Sequence, residues 1–135
     1  MIIKITPDRE RAKMILKRIE EWISYLPHID TNKFYSIKAE NYYEIIRELI
    51  GALILLSGSK TVGENAHKEL IELLSKDNKF YEEEIRLIDD LRIRRNKFLY
   101  EAKRIELIYV ENNKNKLESL ISKIKKELKE RLDKR

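Results

Sequence analysis

Hydrophobic residues recur along the chain at spacings of three and four residues, as expected for helices that each bury one face. The first such stretch follows Thr6-Pro7-Asp8, in which Thr6 suits an N-cap and Pro7 the first helical position. Pro27 ends it. The pattern predicts a first helix whose buried stripe comprises Ala12, Ile15, Leu16, Ile19, Trp22, Ile23 and Leu26.

Further stretches have the same helical period. The second predicted helix runs from residue 36 or 38 to Leu56, and it is apolar on nearly all sides after Leu49. The third covers about residues 64–75, and the fourth about residues 80–109. A weak break at residues 111–113 precedes a last helix at about 112–135. The sequence therefore predicts one all-α domain over residues 1–135, an up-and-down bundle of four to five helices.

The composition narrows the class of protein. Three glycines and two prolines in 135 residues are too few for a turn-rich β-sandwich, and no glycine-rich phosphate loop is present. The absence of cysteine excludes a disulfide scaffold, a thiol nucleophile and a cysteine-ligated zinc. Because only two histidines occur, His28 and His67, we expect neither a metal nor a cofactor.

The ends of the chain and its apolar runs bear on localisation. Residues 1–6 do not have the pattern of a signal peptide, and the longest apolar run, at 49–56, is far too short to span a bilayer. We therefore expect a cytoplasmic protein that does not associate with a membrane. Glutamine and cysteine are absent while Lys and Glu are abundant, which is typical of hyperthermophiles, although an AT-rich genome also enriches Ile, Lys and Asn.

The net charge of +5 is concentrated at the C-terminus. Residues 112–135 hold 9 Lys/Arg and 4 Asp/Glu, whereas the rest of the chain is balanced. A basic C-terminal helix favours contact with nucleic acid or an acidic partner. It is equally the pattern of a solvated helix end whose cations complement the helix dipole.

Arg95 breaks the pattern of the fourth helix. At about 100° per residue, Ile88, Leu91, Leu99 and Ala102 all lie within about 40° of it. Arginine is almost never buried without a partner. Asp89, Arg92, Asn96 and Tyr100 occupy the flank beside it.

Two interpretations of Arg95 stay open. In the first, Arg95 pairs with a carboxylate from another helix or extends to solvent at a helix end. In the second, it lies at a cleft or a dimer interface and binds a phosphate, for which its planar fork of donors is suited.

The run Arg95-Asn96-Lys97-Phe98-Leu99-Tyr100-Glu101, in the fourth helix of a small bundle, resembles the motif of the HEPN superfamily. That motif is Arg, a polar residue, three variable residues and His. Residues 40–74 are also similar, with a long apolar helix, a glycine-containing loop and a short helix bearing His67. The resemblance covers roughly residues 7–130.

The resemblance implies an all-α homodimer in which two motifs form a composite cleft. Many members are metal-independent endoribonucleases, some are toxins paired with a minimal nucleotidyltransferase, and others only bind RNA or accompany a nucleotidyltransferase. Mapped onto this chain, Arg95, Asn96 and Tyr100 become the catalytic positions, and Arg92, Arg95 and Asn96 the phosphate or RNA contacts. Tyr100 replaces the histidine, and a phenol is a poor base near pH 7, so we expect weak or absent cleavage.

Three functional hypotheses follow. The first is a dimer that binds RNA or a nucleotide phosphate with little or no ribonuclease activity. The second is an active endoribonuclease toxin, in which Tyr100 or a displaced histidine completes the site. The third is a non-catalytic partner subunit of a minimal nucleotidyltransferase, in which Arg95 forms a structural ion pair. Outside the motif, we expect His67 to be a packed, hydrogen-bonded residue and Tyr43 to be a weak core candidate that is able to stack on bases.

Overall fold

The computed structural model describes residues 1–134 as a helical bundle with a small β-ribbon, which confirms the predicted all-α fold. The elements in chain order are β1 (Ile2–Lys4), α1 (Arg9–Tyr25), a 3₁₀ turn (Leu26–His28), α2 (Tyr35–Leu56), β2 (Ser59–Thr61), α3 (Ala66–Ser75), α4 (Glu82–Glu101) and α5 (Leu107–Asp133).

Helix α2 is the centre of the bundle, as its nearly uniform apolar sequence predicts. It packs most extensively on α5 and α1, and it also contacts α3 and α4. More than half of its residues are buried. The buried Tyr42 hydroxyl of α2 is paired, since it donates to Glu118 of α5 at 2.6 Å.

The β-ribbon was not predicted from the sequence. β1 and β2 pair antiparallel, with Ile2 opposite Thr61 and Lys4 opposite Ser59. Gly58 makes the turn into β2 with a φ of +83°, and a Cβ there would lie 2.9 Å from the carbonyl oxygen of Ile5. Only glycine combines this left-handed backbone with so close an approach. The ribbon fixes the N-terminal strand against the end of α2.

Several predicted helix boundaries are wrong. The N-cap of α1 is Asp8, whose carboxylate accepts from the Arg11 amide at 3.0 Å, instead of Thr6. The fourth helix ends at Glu101 and not near Tyr109, because Ala102 adopts a left-handed conformation with φ 54°. The predicted break at residues 111–113 lies inside α5, so the basic last helix begins at 107 and not at 112. It extends to Asp133, and residue 135 of the predicted range lies outside the described residues.

Three core predictions are also wrong. Trp22 is 39% exposed, although it was expected in the stripe of the first helix. Leu99, placed in the apolar stripe around Arg95, is 45% exposed. Tyr43, expected to be a weak core candidate, is fully buried because α4 and α3 cover that side of α2.

Several basic residues of α5 form ion pairs with other parts of the chain. Lys125 and Lys129 both pair with Glu20 of α1, and Arg131 pairs with Asp77 at 2.5 Å. The Arg9 guanidinium donates to the carbonyls of Leu132 and Lys134 at the end of α5. These cations are thus paired within the chain, which neither interpretation of the basic helix predicted. None of the helices in residues 1–134 is long and apolar enough to cross a bilayer.

Candidate functional site

Arg95 is buried between α4 and α2, and it is paired by two carboxylates from α2. Its Nε donates to Glu40 at 2.8 Å, and its Nη2 donates to Glu44 at 2.8 Å. The Arg95 side chain is only 10% exposed. The interpretation of Arg95 as an interhelical ion pair is therefore correct. Asp89, the carboxylate that the sequence places nearest to Arg95, is not one of its partners and pairs with Arg92 instead.

The two carboxylates hold the guanidinium in one orientation, and they occupy only some of its N–H groups. Nη1 reaches only the Asn96 side-chain oxygen, at 3.3 Å. A guanidinium has five N–H groups, and these three bonds leave two without an acceptor among residues 1–134. The Tyr43 ring lies 5.2 Å from the guanidinium carbon and closes the side toward the core.

Further charges continue the cluster along α2. Arg47 donates to Glu44 at 2.5 Å and to Glu48 at 3.2 Å, and Glu48 also accepts from Arg18 of α1 at 2.6 Å. Glu44 is thus shared by Arg47 and Arg95, and Glu48 by Arg47 and Arg18. Burial raises the pKa of the Glu40 carboxyl above its ordinary value, and its bond to Arg95 opposes this rise. Arg95 therefore favours the charged form of the Glu40 carboxyl.

His67 of α3 lies at the other end of the Tyr43 ring, with the two ring centroids 6.0 Å apart. Burial, and then the positive charges of Arg47 and Arg95, lower the pKa of its imidazole. The imidazole is packed as expected, but it makes no hydrogen bond within residues 1–134, so that part of the prediction is wrong. The buried surroundings thus favour the neutral form of the imidazole, which the motif alone does not indicate.

Only some of the other motif residues lie close to Arg95 in the structure. Arg92 is half-buried beside Arg95 on α4, and its Nε donates to Asp89 at 2.8 Å. Tyr100, by contrast, is 77% exposed near the end of α4 and has no hydrogen-bonding partner in the described chain. Residues five apart on a helix point about 140° from each other, so Tyr100 faces away from the ion pair of its own chain.

Exposed apolar side chains flank the cluster. Ile37 lies one turn before Glu40 and Asn41 on α2 and is 50% exposed, and Leu99 lies one turn after Arg95 on α4. Ile37 and Leu99 thus form an exposed apolar rim beside the cluster.

The sequence did not predict that Glu40, Glu44 and Arg47 belong to the site. They occupy one face of α2, three and four residues apart, which in a sequence is the pattern of a solvated helix face. The only available signal was the need for a carboxylate partner for Arg95.

Comparison with known proteins finds no matching family model, no similar curated protein and no similar solved structure. Within residues 1–134, no three His, Asp or Glu side chains come together as a potential metal site. What can be inferred about this site therefore rests on the chemistry of its side chains.

The first prediction concerns the ion pair. Arg95→Ala leaves Glu40 and Glu44 without their common partner, and we expect a loss of about 2–3 kcal/mol in the free energy of unfolding. Arg95→Met combined with Glu40→Gln and Glu44→Gln should restore much of this loss. Urea denaturation measures both. The control is Arg86→Ala, an exposed ion-paired arginine of the same helix; a loss in Arg95→Ala no larger than the control's would contradict the prediction.

The second prediction concerns His67. Because its pKa is lower in the folded than in the unfolded chain, the unfolded state binds more protons once the pH falls through the ordinary histidine value, about 6.5. Stability should therefore decrease from pH 7.5 to pH 6. His67→Gln should flatten this decrease, whereas His28→Gln, in the exposed 3₁₀ turn, should not. Equal slopes for wild type and His67→Gln in denaturant titrations would show that the prediction is wrong.

Proposed function

We propose that this chain is a HEPN-like bundle that pairs with a second copy and binds RNA or nucleotide phosphates through Arg92, Arg95 and Asn96. Its ribonuclease activity is weak or absent. The observation that carries this proposal is the Arg95 guanidinium, which two carboxylates orient while two of its N–H groups stay without an acceptor within residues 1–134.

The immediate surroundings of Arg95 support a phosphate ligand. Arg92 adds a second guanidinium one turn earlier on α4, and Asn96 contributes a side-chain amide beside Arg95. Planar guanidinium groups bind phosphate oxygens two at a time. Because Glu40 and Glu44 oppose the approach of an anion, binding is expected to be moderate and to depend strongly on salt.

Pairing with a second copy is supported by the apolar rim and by the direction of Tyr100. Ile37 and Leu99 offer apolar area on either side of the ion pair. Tyr100 points away from Arg95 of its own chain, so it can act with an Arg95 only when a second copy supplies that residue. Such a site would still lack the histidine of the motif, which supports binding over cleavage.

A second candidate function is a non-catalytic partner subunit of a minimal nucleotidyltransferase. It is favoured by the ion pairs themselves, because an Arg95 bonded to both Glu40 and Glu44 already has a structural role. In that case the apolar rim would contact the partner protein. RNA binding distinguishes the two candidates.

The third prediction is that Arg92→Ala and Arg95→Lys each weaken the binding of single-stranded RNA by about tenfold, because each removes charge-assisted hydrogen bonds to phosphate. Fluorescence anisotropy at several salt concentrations measures this. The slope of log affinity against log salt should fall by about one unit in Arg92→Ala.

The matched control is Arg86→Ala, which removes the same charge two turns earlier on the same helix. We expect it to bind as wild type does. Equal binding by all variants at matched salt contradicts the proposed site. Absence of RNA binding by wild type favours the partner-subunit function.

The fourth prediction concerns cleavage. In EDTA, wild type should cut RNA slowly or not at all, and Tyr100→His should gain activity because an imidazole accepts and donates protons near pH 7. The added activity should disappear in the double variant with Arg92→Ala. Tyr81→His, an exposed tyrosine at the other end of α4, is the control and should gain nothing. Rapid cleavage by wild type would instead support an active endoribonuclease.

A further inference from the structure

Gly51 lies in the middle of α2, where glycine weakens a helix relative to alanine. Its backbone is helical, so no positive φ requires a glycine there. A Cβ at this position would meet nothing within 4 Å, so no close contact requires it either. The missing side chain instead leaves open space beside the most buried helix of the bundle.

That space belongs to a cleft of about 340 Å³ between α1, α2, β2 and α3. This volume lies within the range of small-molecule sites, about 300–1,000 Å³. Gly51 lies in its wall, and much of the remaining lining is apolar, contributed by Ile15, Ile54, Val62 and Leu70. A flat or apolar group therefore has both room and suitable contacts.

Three cations line the same cleft, against one carboxylate. Arg11 comes from α1, Arg47 from α2 and Lys60 from β2, and the carboxylate is Glu48. In residues 1–134 the side chains of Arg11 and Lys60 form no ion pair, and Glu48 is already shared by Arg47 and Arg18. The Nε of Arg47 is buried without an acceptor. Because Arg47 is also paired by Glu44, the uncompensated charges of the cleft are those of Arg11 and Lys60, and these favour an anionic ligand.

We propose that this cleft binds a small organic phosphate of about the size of a mononucleotide. The phosphate contacts Arg11, Arg47 and Lys60, and the organic body occupies the space beside Gly51. The site is separate from the Arg95 cluster. Arg47 touches both, but Arg11, Gly51 and Lys60 belong only to the cleft. The proposal therefore goes beyond the proposed function and does not depend on it.

The experiment is calorimetric titration of the purified chain with adenosine 5′-monophosphate at fixed ionic strength. Inorganic phosphate and adenosine serve as separate probes of the two halves of the ligand. We expect one saturable site for the nucleotide, weaker binding of phosphate and no measurable binding of adenosine. Lys60→Ala and Arg11→Ala should each weaken nucleotide binding by about tenfold, since each removes a charge-assisted contact.

Gly51 gives a test that does not change charge. Gly51→Leu places a side chain in the cleft and should abolish nucleotide binding, whereas Gly51→Ala fills little of it and should keep binding. Circular dichroism checks that both variants fold. If Gly51→Leu does not fold, Lys60→Ala decides the question, because Lys60 is exposed on a short strand.

The charge controls are Lys4→Ala, an exposed lysine on the neighbouring strand, and Lys17→Ala on α1. Neither residue lines the cleft, and both variants should bind as wild type does. Equal weakening by Lys4→Ala and Lys60→Ala would mean general attraction to a basic protein and would overturn the site. Absence of saturable nucleotide binding, or phosphate binding as tight as that of the nucleotide, would also overturn the proposal.

Discussion

The relation between α2 and α4 depends on compensating the charge of Arg95. An unpaired guanidinium in this position would cost several kcal/mol. Glu40 and Glu44 lie one turn apart on α2 and bind two different nitrogens of Arg95, which fixes both the height and the rotation of α4 against α2. The same two bonds decide which N–H groups of Arg95 are left without an acceptor in residues 1–134.

Helix α2 connects the Arg95 ion pairs to the other helices of the bundle. Its apolar sides form the core with α1 and α5, while its polar side contains Glu40, Glu44, Arg47 and Glu48. Because Glu44 and Glu48 are each shared between two arginines, their contributions to stability are not independent. The Arg95 cluster and the cleft beside Gly51 therefore lie at two ends of one connected network, although they present different chemistry.

The helical period of the sequence was sufficient to predict the bundle and the burial of Arg95, because both follow from side-chain spacing along a single helix. It could not predict the partners of Arg95, which depend on how two helices face each other. It also could not predict the end of α4. Ala102 is a good helix former, and the chain leaves the helix there while Ser36 hydrogen-bonds the backbone of Ile105. Trp22 is exposed because no element within residues 1–134 covers that part of α1, which is again a tertiary property.

The proposed pairing of two copies would bring two Arg95 side chains near each other, and their ion pairs with Glu40 and Glu44 would offset the repulsion. Two bare Arg95 side chains facing one cleft would repel each other unless an anion were bound. Here each Arg95 is already balanced by Glu40 and Glu44, so two copies can approach without a ligand. The same balance reduces the attraction of Arg95 for phosphate. Anion affinity in a paired cleft must then come largely from Arg92, whose only carboxylate in the described chain is the more exposed Asp89, and from the remaining donors of Arg95. In the proposed dimer, the carboxylates would thus favour assembly at the expense of phosphate affinity.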